Sequence, residues 1–389
     1  MKKLLYTFLI LSVIIPNIVS AGVFNVYTAR KITSFNGNKF NVFIPSSSSL
    51  IDMSEGGVVS LGSGVSSTTF TFSSDATYDI TRSSLFYSGI DQDSTTNNAS
   101  SSQVSIYFNS DGKGVTVTRG GASTLVVLKL SFWVVEWAPG VTKSVQRGET
   151  FVQNGATSNT ATISSVTTAN SFVNMLGSNS TSTQGMRNAQ FTSSLTNSTT
   201  VTNTRSLTID GATSTWQVTE FNPGYVNSIQ EKSIALTGVV SNTASISAVT
   251  TNESMLFLGG FRDTNGGTIT NMLNSCALTN STTITAIKGV ASGNSTITCT
   301  VVDFNPTYLN SNTQSGSVLV NTALTGTASI SSVNTTKSLL SWGGLSVDNT
   351  NLNRAAMYIG LTNGTTVTGT KGNASAANAS STFMVLESK

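Results

Sequence analysis

Hydrophobic and β-branched residues in this chain fall in short runs, separated by Gly and Asn. Beyond the first twenty residues no segment carries a sustained helical stripe. Thr199-Thr200-Val201-Thr202 and Thr282-Thr283-Ile284-Thr285 are β-branched runs, whereas Ser131 to Trp137, Trp216 to Phe221 and Cys299 to Phe304 mix aromatic and β-branched residues with partial alternation. Short strands at regular spacing with turn residues between them predict an all-β chain of sandwich-like units. Pro139, Pro223 and Pro306 stand just after the last strand of a unit, where a proline ends the ladder and stiffens the link to the next unit.

The pattern repeats. The phrase Leu195-Thr196-Asn197-Ser198-Thr199-Thr200-Val201-Thr202 returns at Leu278 and again at Leu361, each 83 residues after the last. Glu220-Phe221-Asn222-Pro223 returns as Asp303-Phe304-Asn305-Pro306, and Ala161-Thr162-Ile163-Ser164-Ser165-Val166 is echoed from Ala244 and Ala328. Three landmarks in one order and one rhythm predict a tandem array of about four small antiparallel β-sandwich-like units. A diverged first unit carries Val115-Thr116-Val117-Thr118-Arg119 and Phe132-Trp133-Val134-Val135-Glu136-Trp137 in the corresponding places. The expected division is a signal peptide at 1–21, an N-terminal arm plus the diverged unit at 22–138, and repeats at 139–222, 223–305 and 306–389. Within the arm, 22–62 reads either as an irregular segment that docks on another subunit or surface, or as an unmatched first strand or a flexible tail. Units of about 80 residues bury modest cores, so neighbours are expected to stabilise one another, and a string of them predicts an elongated shape.

Met1-Lys2-Lys3, an apolar run from Leu4 to Ile15, Pro16 and the small residues Val19-Ser20-Ala21 fit a signal peptide cleaved after Ala21. That reading places the chain outside the cytoplasm with no membrane association after cleavage.

Composition narrows the chemistry. Charged residues are 10% of 389, against about a quarter in an ordinary soluble domain, and the net charge is +3. No basic stripe is present to neutralise phosphates, so no nucleic-acid partner is expected. The absence of histidine removes a Ser-His-Asp triad and any imidazole metal site. Asp91-Gln92-Asp93 and Arg262-Asp263-Thr264-Asn265-Gly266 are oxygen-rich but lack calcium-loop spacing and read as turns. No cofactor and no metal are expected, and the chain reads as non-enzymatic.

A basic residue holds one place in every unit, Arg119, Arg205, Lys288 and Lys371, and a carboxylate another, Glu136, Glu220, Asp303 and Glu387. The strands bearing them are expected to form a hairpin, with Arg205 opposite Trp216 as a cross-strand pair or cation–π contact. The alternative use of the four cations is a repeated contact for acidic glycans or a partner subunit, with avidity from spacing. Tyr225, Tyr308, Trp342 and Phe261 are either packing residues or platforms for sugar rings. Cys276 and Cys299, the only cysteines, either pair in an oxidising compartment or serve as apolar core positions.

The phrases Val141-Thr142-Lys143-Ser144-Val145-Gln146-Arg147-Gly148, Trp216-Gln217-Val218-Thr219-Glu220-Phe221-Asn222-Pro223-Gly224 and Leu195 to Thr202 resemble repeats in structural proteins of tailed bacteriophages, over about residues 60–389. The resemblance implies a tail or virion-surface component, fibre-like, that contacts neighbouring subunits or a host. With the signal sequence it leaves a secreted, cell-surface or virion-surface protein acting as a structural or adhesive element. The alternatives are a lectin-like protein that binds host surface glycans and a polysaccharide-degrading enzyme on a repeat scaffold.

Overall fold

The computed structural model describes residues 49–73, 76–94, 99–121, 126–183, 185–265, 269–374 and 377–389, together with the backbone of a short antiparallel pair, β1 (Phe35–Asn36) and β2 (Lys39–Phe40). The signal sequence and most of the expected arm lie outside the described residues. Residues Met1–Ser46 and Ser47–Lys389 are separate compact units, and the second holds the repeats.

Each repeat supplies six strands. The first has β3 (Ile51–Leu61), β4 (Ser67–Thr71), β5 (Ser83–Gln92), β6 (Val104–Phe108), β7 (Gly114–Arg119) and β8 (Leu128–Trp137). The second has β9 (Thr142–Val152), β10 (Ser158–Thr162), β11 (Ser171–Asn179), β12 (Thr192–Asn197), β13 (Thr200–Thr204) and β14 (Ala212–Phe221). The third has β15 (Val226–Thr237), β16 (Ser241–Ser245), β17 (Ser254–Asn265), β18 (Asn274–Asn280), β19 (Thr283–Lys288) and β20 (Asn294–Phe304). The fourth has β21 (Gln314–Val320), β22 (Thr325–Ser329), β23 (Ser338–Val347), β24 (Met357–Asn363), β25 (Thr366–Lys371) and β26 (Ala379–Glu387). Residues 51–61 are therefore a full first strand, paired along its length with β8. Asp91-Gln92 and Arg262 to Asn265 also lie in strands, β5 and β17, and not in turns. Their backbones are held by β8 and β20, so the local turn-forming composition is overridden by pairing.

The repeats share sheets. The first, third and sixth strands of a unit form one half of a six-stranded antiparallel sheet, and the second, fourth and fifth strands of the preceding unit form the other half. The orders are β4-β7-β6-β11-β14-β9, β10-β13-β12-β17-β20-β15, β16-β19-β18-β23-β26-β21 and β22-β25-β24-β5-β8-β3. The last order joins the fourth unit to the first. The array is therefore a closed ring of four sheets, a four-blade propeller-like arrangement, where a linear reading of the repeats predicts an elongated string. Closure removes two bare terminal units, each of which would leave half a sheet unpaired.

Each joint between half-sheets is a single bridge to a glycine: Gly89 to Tyr358, Gly177 to Ser105, Gly260 to Thr192 and Gly344 to Ser275. These four glycines have φ of 102°, 97°, 110° and 105°. A Cβ on them would lie 2.6, 2.1, 2.2 and 2.2 Å from the carbonyl oxygens of Met357, Val104, Phe191 and Asn274. Only glycine combines that backbone with so close an approach. The strand register shifts at the same points, a bulge that turns one unit away from the next.

The core runs through all four units. Trp137, Phe221 and Phe304, at one repeated position, meet with ring centroids 5.1 to 6.3 Å apart. The fourth unit has Ser388 there; its Oγ accepts from the N–H groups of Leu50 and Ile51 at 2.7 and 3.1 Å, tying the chain's end to its first repeat. Phe86, Phe172 and Phe257 stack in the same cluster. No helix among the described residues is long and apolar enough to cross a membrane.

Candidate functional site

The repeated cations are inside the protein. Arg119, Arg205, Lys288 and Lys371 are 4%, 0%, 1% and 1% exposed. Arg119 donates to the carbonyls of Val65, Val126 and Gly62 at 2.8 to 2.9 Å. Arg205 donates to Ala156, Asn188 and Gln153, Lys288 to Leu236, Ser292 and Gly293, and Lys371 to Asn321 and Ala377. In each unit the cation ties the end of the first strand, or the turn after it, to a segment outside the ladders. Burial pushes all four below their ordinary pKa, and the carbonyl dipoles replace lost hydration. These positions work as internal pins and present no charge to an acidic glycan.

Arg205 does not lie opposite Trp216. β13 pairs with β10 and β12, whereas β14 pairs with β9 and β11, so Trp216 faces Gly148 and Met175. The segment between the two strands crosses from one sheet to another and forms no hairpin. Trp216 donates Nε1–H to Thr150 Oγ1 at 2.9 Å.

The carboxylates are equally occupied, each within its own unit. Glu220 accepts from Thr167 N–H at 2.8 Å, Lys143 Nζ at 2.9 Å and Ser144 Oγ at 3.0 Å. Burial alone would raise its pKa, and those donors together hold it below the usual carboxylate value. Glu387 accepts from Asn334 N–H at 2.8 Å and Glu136 from Asp79 N–H at 2.6 Å. Burial raises Glu136 even though Arg82 forms an ion pair with it. Asp303 accepts from Ser254 Oγ at 3.0 Å. Among the described residues no group of three or more potential metal ligands is brought together.

Trp342, Phe261 and Tyr225 are 5%, 8% and 4% exposed, and the Tyr225 and Tyr308 rings pack tilted with centroids 4.6 Å apart. They pack the core and the joint after the third unit. Cys276 and Cys299 are joined by a disulfide between β18 and β20 of the third unit, with Cα atoms 6.8 Å apart. The bond spans two positions of one unit's interior that are filled by Ser193 and Trp216 in the second.

A void of about 40 Å³ lies where the units converge, lined from all four by residues including Tyr87, Met175, Phe261 and Trp342. Asp91, 3% exposed, borders it, and its Oδ2 has no hydrogen-bond partner among the described residues. Burial pushes its carboxyl up to about 7, against a smaller opposing effect of Lys129. A void of that size accommodates water molecules, and Asp91 was not legible as special because its peers in the other units, Asn179, Arg262 and Ser346, carry no common chemistry.

The outer rim carries the edge strands. Four of the eight edge strands, β4, β10, β16 and β22, contain no charged residue and no proline, whereas β3, β9 and β15 at the opposite edges carry charges. In three units a glutamine amide stitches the neighbouring edges together. Gln146 Oε1 accepts from Ser164 N–H at 2.8 Å while its Nε2 donates to Ser164 O at 3.0 Å. Gln230 with Ser247 and Gln314 with Ser331 repeat the arrangement. Phe151, Ile209, Val240, Leu319 and Leu324 stand exposed along this rim, Phe151 and Leu319 by 58% and 57%.

No protein-family model matches the chain, and no curated protein does. Eight solved chains match it. One belongs to the atomic structure of Sulfolobus Turreted Icosahedral Virus, at 12% identity over 61% of this chain and 81% of that one, with a TM-score of 0.15. Another comes from a triple jelly roll structure of an archaeal virus turret assembly, at 12% identity over 65% and 89%, with a TM-score of 0.13. TM-scores this low carry no argument about what this chain does.

Proposed function

We propose that the chain is a non-enzymatic building block of a virion or cell surface, exported by its N-terminal signal and joined to neighbouring subunits through the rim of the ring. The supporting observation is the use of the repeated chemistry. The cation, the carboxylate and the bulge glycine that recur in every unit are all spent on turns, loops and joints inside the protein. A scaffold selects for such positions; a catalyst concentrates distinctive groups in one cleft. The neutral edge strands β4, β10, β16 and β22 and the exposed Phe151, Ile209, Val240, Leu319 and Leu324 offer apolar, hydroxyl- and amide-rich patches suited to subunit contacts. The tailed-phage resemblance of the repeat phrases points the same way. Adhesion to host glycans is the finer version, with rim hydroxyls and amides meeting sugar hydroxyls.

The test is mass spectrometry of purified particles and of envelope and secreted fractions, combined with electron microscopy of the processed chain. Recovery in a particle or surface fraction, as a four-lobed ring, is expected. Recovery in the cytosol alone, or turnover of a polysaccharide with release of reducing ends, would overturn the proposal.

A further inference from the structure

Three units present the same kind of triplet at the turn between their fourth and fifth strands: Asn197-Ser198-Thr199, Asn280-Ser281-Thr282 and Asn363-Gly364-Thr365. In each, Asn Oδ1 accepts twice from the third residue. The backbone N–H of Thr199, Thr282 and Thr365 donates at 2.9, 2.9 and 2.8 Å, and the hydroxyl donates at 3.1, 3.2 and 2.9 Å. The three Asn and the three Thr are exposed, and the Asn Nδ2 groups have no protein partner among the described residues. Each turn is anchored from below: Ile163, Ile246 and Ile330 donate their N–H to the carbonyls of the three Thr, all at 2.9 Å.

The first unit shows how much of the triplet the fold needs. The same anchor runs from Phe72 N–H to Lys113 O at 2.9 Å. There Asp111 Oδ1 accepts from Lys113 N–H at 3.0 Å. An aspartate and a lysine thus close the corresponding turn. What the turn uses is one side-chain oxygen and the backbone of the third residue. The amide nitrogen of Asn197, Asn280 and Asn363 and the hydroxyl of Thr199, Thr282 and Thr365 are surplus to it.

An exposed asparagine amide with a hydroxyl two residues later is the acceptor pattern for N-glycosylation. Other Asn-x-Ser/Thr triplets are used by the fold. Asn179 lies in β11 and donates Nδ2 to Ser105 Oγ at 3.0 Å. Asn252 donates to Asn312 Oδ1 at 3.1 Å, and its third residue, Ser254, is buried. Asn378 donates to Asp348 Oδ2 at 2.6 Å. Asn294 opens β20 and is paired on both sides. Asn334-Thr335-Thr336 differs from these. It has the exposed amide and both bonds, at 3.1 and 2.9 Å, and it follows Val333, whose N–H donates to Gly364 O of the last turn.

We infer that Asn197, Asn280 and Asn363, with Asn334 beside the last of them, are acceptor sites for N-linked glycans. The donor is an oligosaccharide carried on a lipid phosphate. Transfer forms a bond from Asn Nδ2 to the anomeric carbon, breaks that carbon's bond to the phosphate oxygen, releases the lipid phosphate and passes one amide proton to a base of the transferase. A glycan at these turns displaces no protein contact. With 10% charged residues and a net charge of +3, the surface has little charge to keep it soluble, and hydrated sugars supply that property. The inference rests on the export proposed above, because the transferases face the extracytoplasmic side.

Glycopeptide mass spectrometry of the exported full chain tests it. Glycans are expected on Asn197, Asn280, Asn334 and Asn363 and on none of Asn179, Asn252, Asn294 or Asn378. The variant N197D/N280D/N363D keeps the oxygen that Asp111 supplies in the first unit. It is expected to fold with an unchanged circular dichroism spectrum and to lose three glycans. T199A/T282A/T365A is expected to lose the same three and serves if the aspartate variant does not fold. An exported chain with bare turns, or glycans on Asn179 and Asn294 in their place, would overturn the inference. A chain found only in the cytosol would overturn the surface role instead. The acceptor sites are then read by giving the purified chain an oligosaccharyltransferase and its lipid-linked donor, where absence of transfer to the turns counts against them.

Discussion

Gly89 pairs with Tyr358, the one ladder pair between the half-sheets of the first and last repeats among the described residues. With φ of 102° and a would-be Cβ 2.6 Å from Met357 O, Gly89 has no tolerable substitute. Gly89→Ala is expected to destabilise the protein by roughly 1–3 kcal/mol, the scale of a strained backbone position. Gly64 is the control, because its φ of 74° is also positive but no atom lies within 4 Å of its Cβ position. Its substitution by Ala is expected to cost less, about 1 kcal/mol. Urea denaturation of both variants checks this, and equal losses would contradict the close approach at the joint.

The buried cations make a second prediction. Arg205→Met and Lys288→Met each remove three hydrogen bonds to backbone carbonyls. Each is expected to lose about 1–3 kcal/mol from those lost bonds, with no change in any surface interaction. Chemical denaturation reads the loss. A neutral effect on stability accompanied by altered ligand binding would restore an external role for these residues.

Asp91 predicts a pH dependence. Its folded pKa of about 7 lies above the ordinary Asp value of 3.8, so the folded state holds the proton more tightly than the unfolded state does. The resulting stabilisation is complete below about pH 4, is lost as pH rises toward 7, and changes little beyond that. Its full size is of the order of a few kcal/mol. Asp91→Asn is expected to flatten that part of the stability curve and to be more stable than the native chain above pH 7. An unchanged slope in the variant would mean that Asp91 does not titrate in this range.

The disulfide gives a fourth. Cys276 and Cys299 close a loop across a separation of 23 residues, and such a link stabilises by about 2–4 kcal/mol. Because the other three units hold the same interior without one, reduction is expected to lower Tm yet leave the ring folded. Far-UV circular dichroism and scattering under reducing conditions check both halves. Collapse of all secondary structure on reduction would show that the bond holds more than its own unit.

The repeat rhythm and the β-branched runs around Val201, Ile284 and Val367 made four antiparallel units legible, because a local strand signal survives repetition unchanged. The positions of Arg119, Arg205, Lys288 and Lys371 were equally visible, but their burial was not. A cation in a periodic place reads the same whether it faces water or a ring of carbonyls. The hairpin expected between β13 and β14 failed for a related reason. Adjacency in the chain suggests pairing, yet the intervening loop carries the chain from one sheet to the other.

Chain order by itself determined the strands, the repeat and the small residues that each unit requires, since these follow from backbone sterics and local alternation. Only the tertiary structure decided that the units share sheets and that the fourth closes on the first. Those outcomes depend on how far each joint rotates and on which side chain meets which neighbour across it, quantities set by long-range packing and invisible to any single segment.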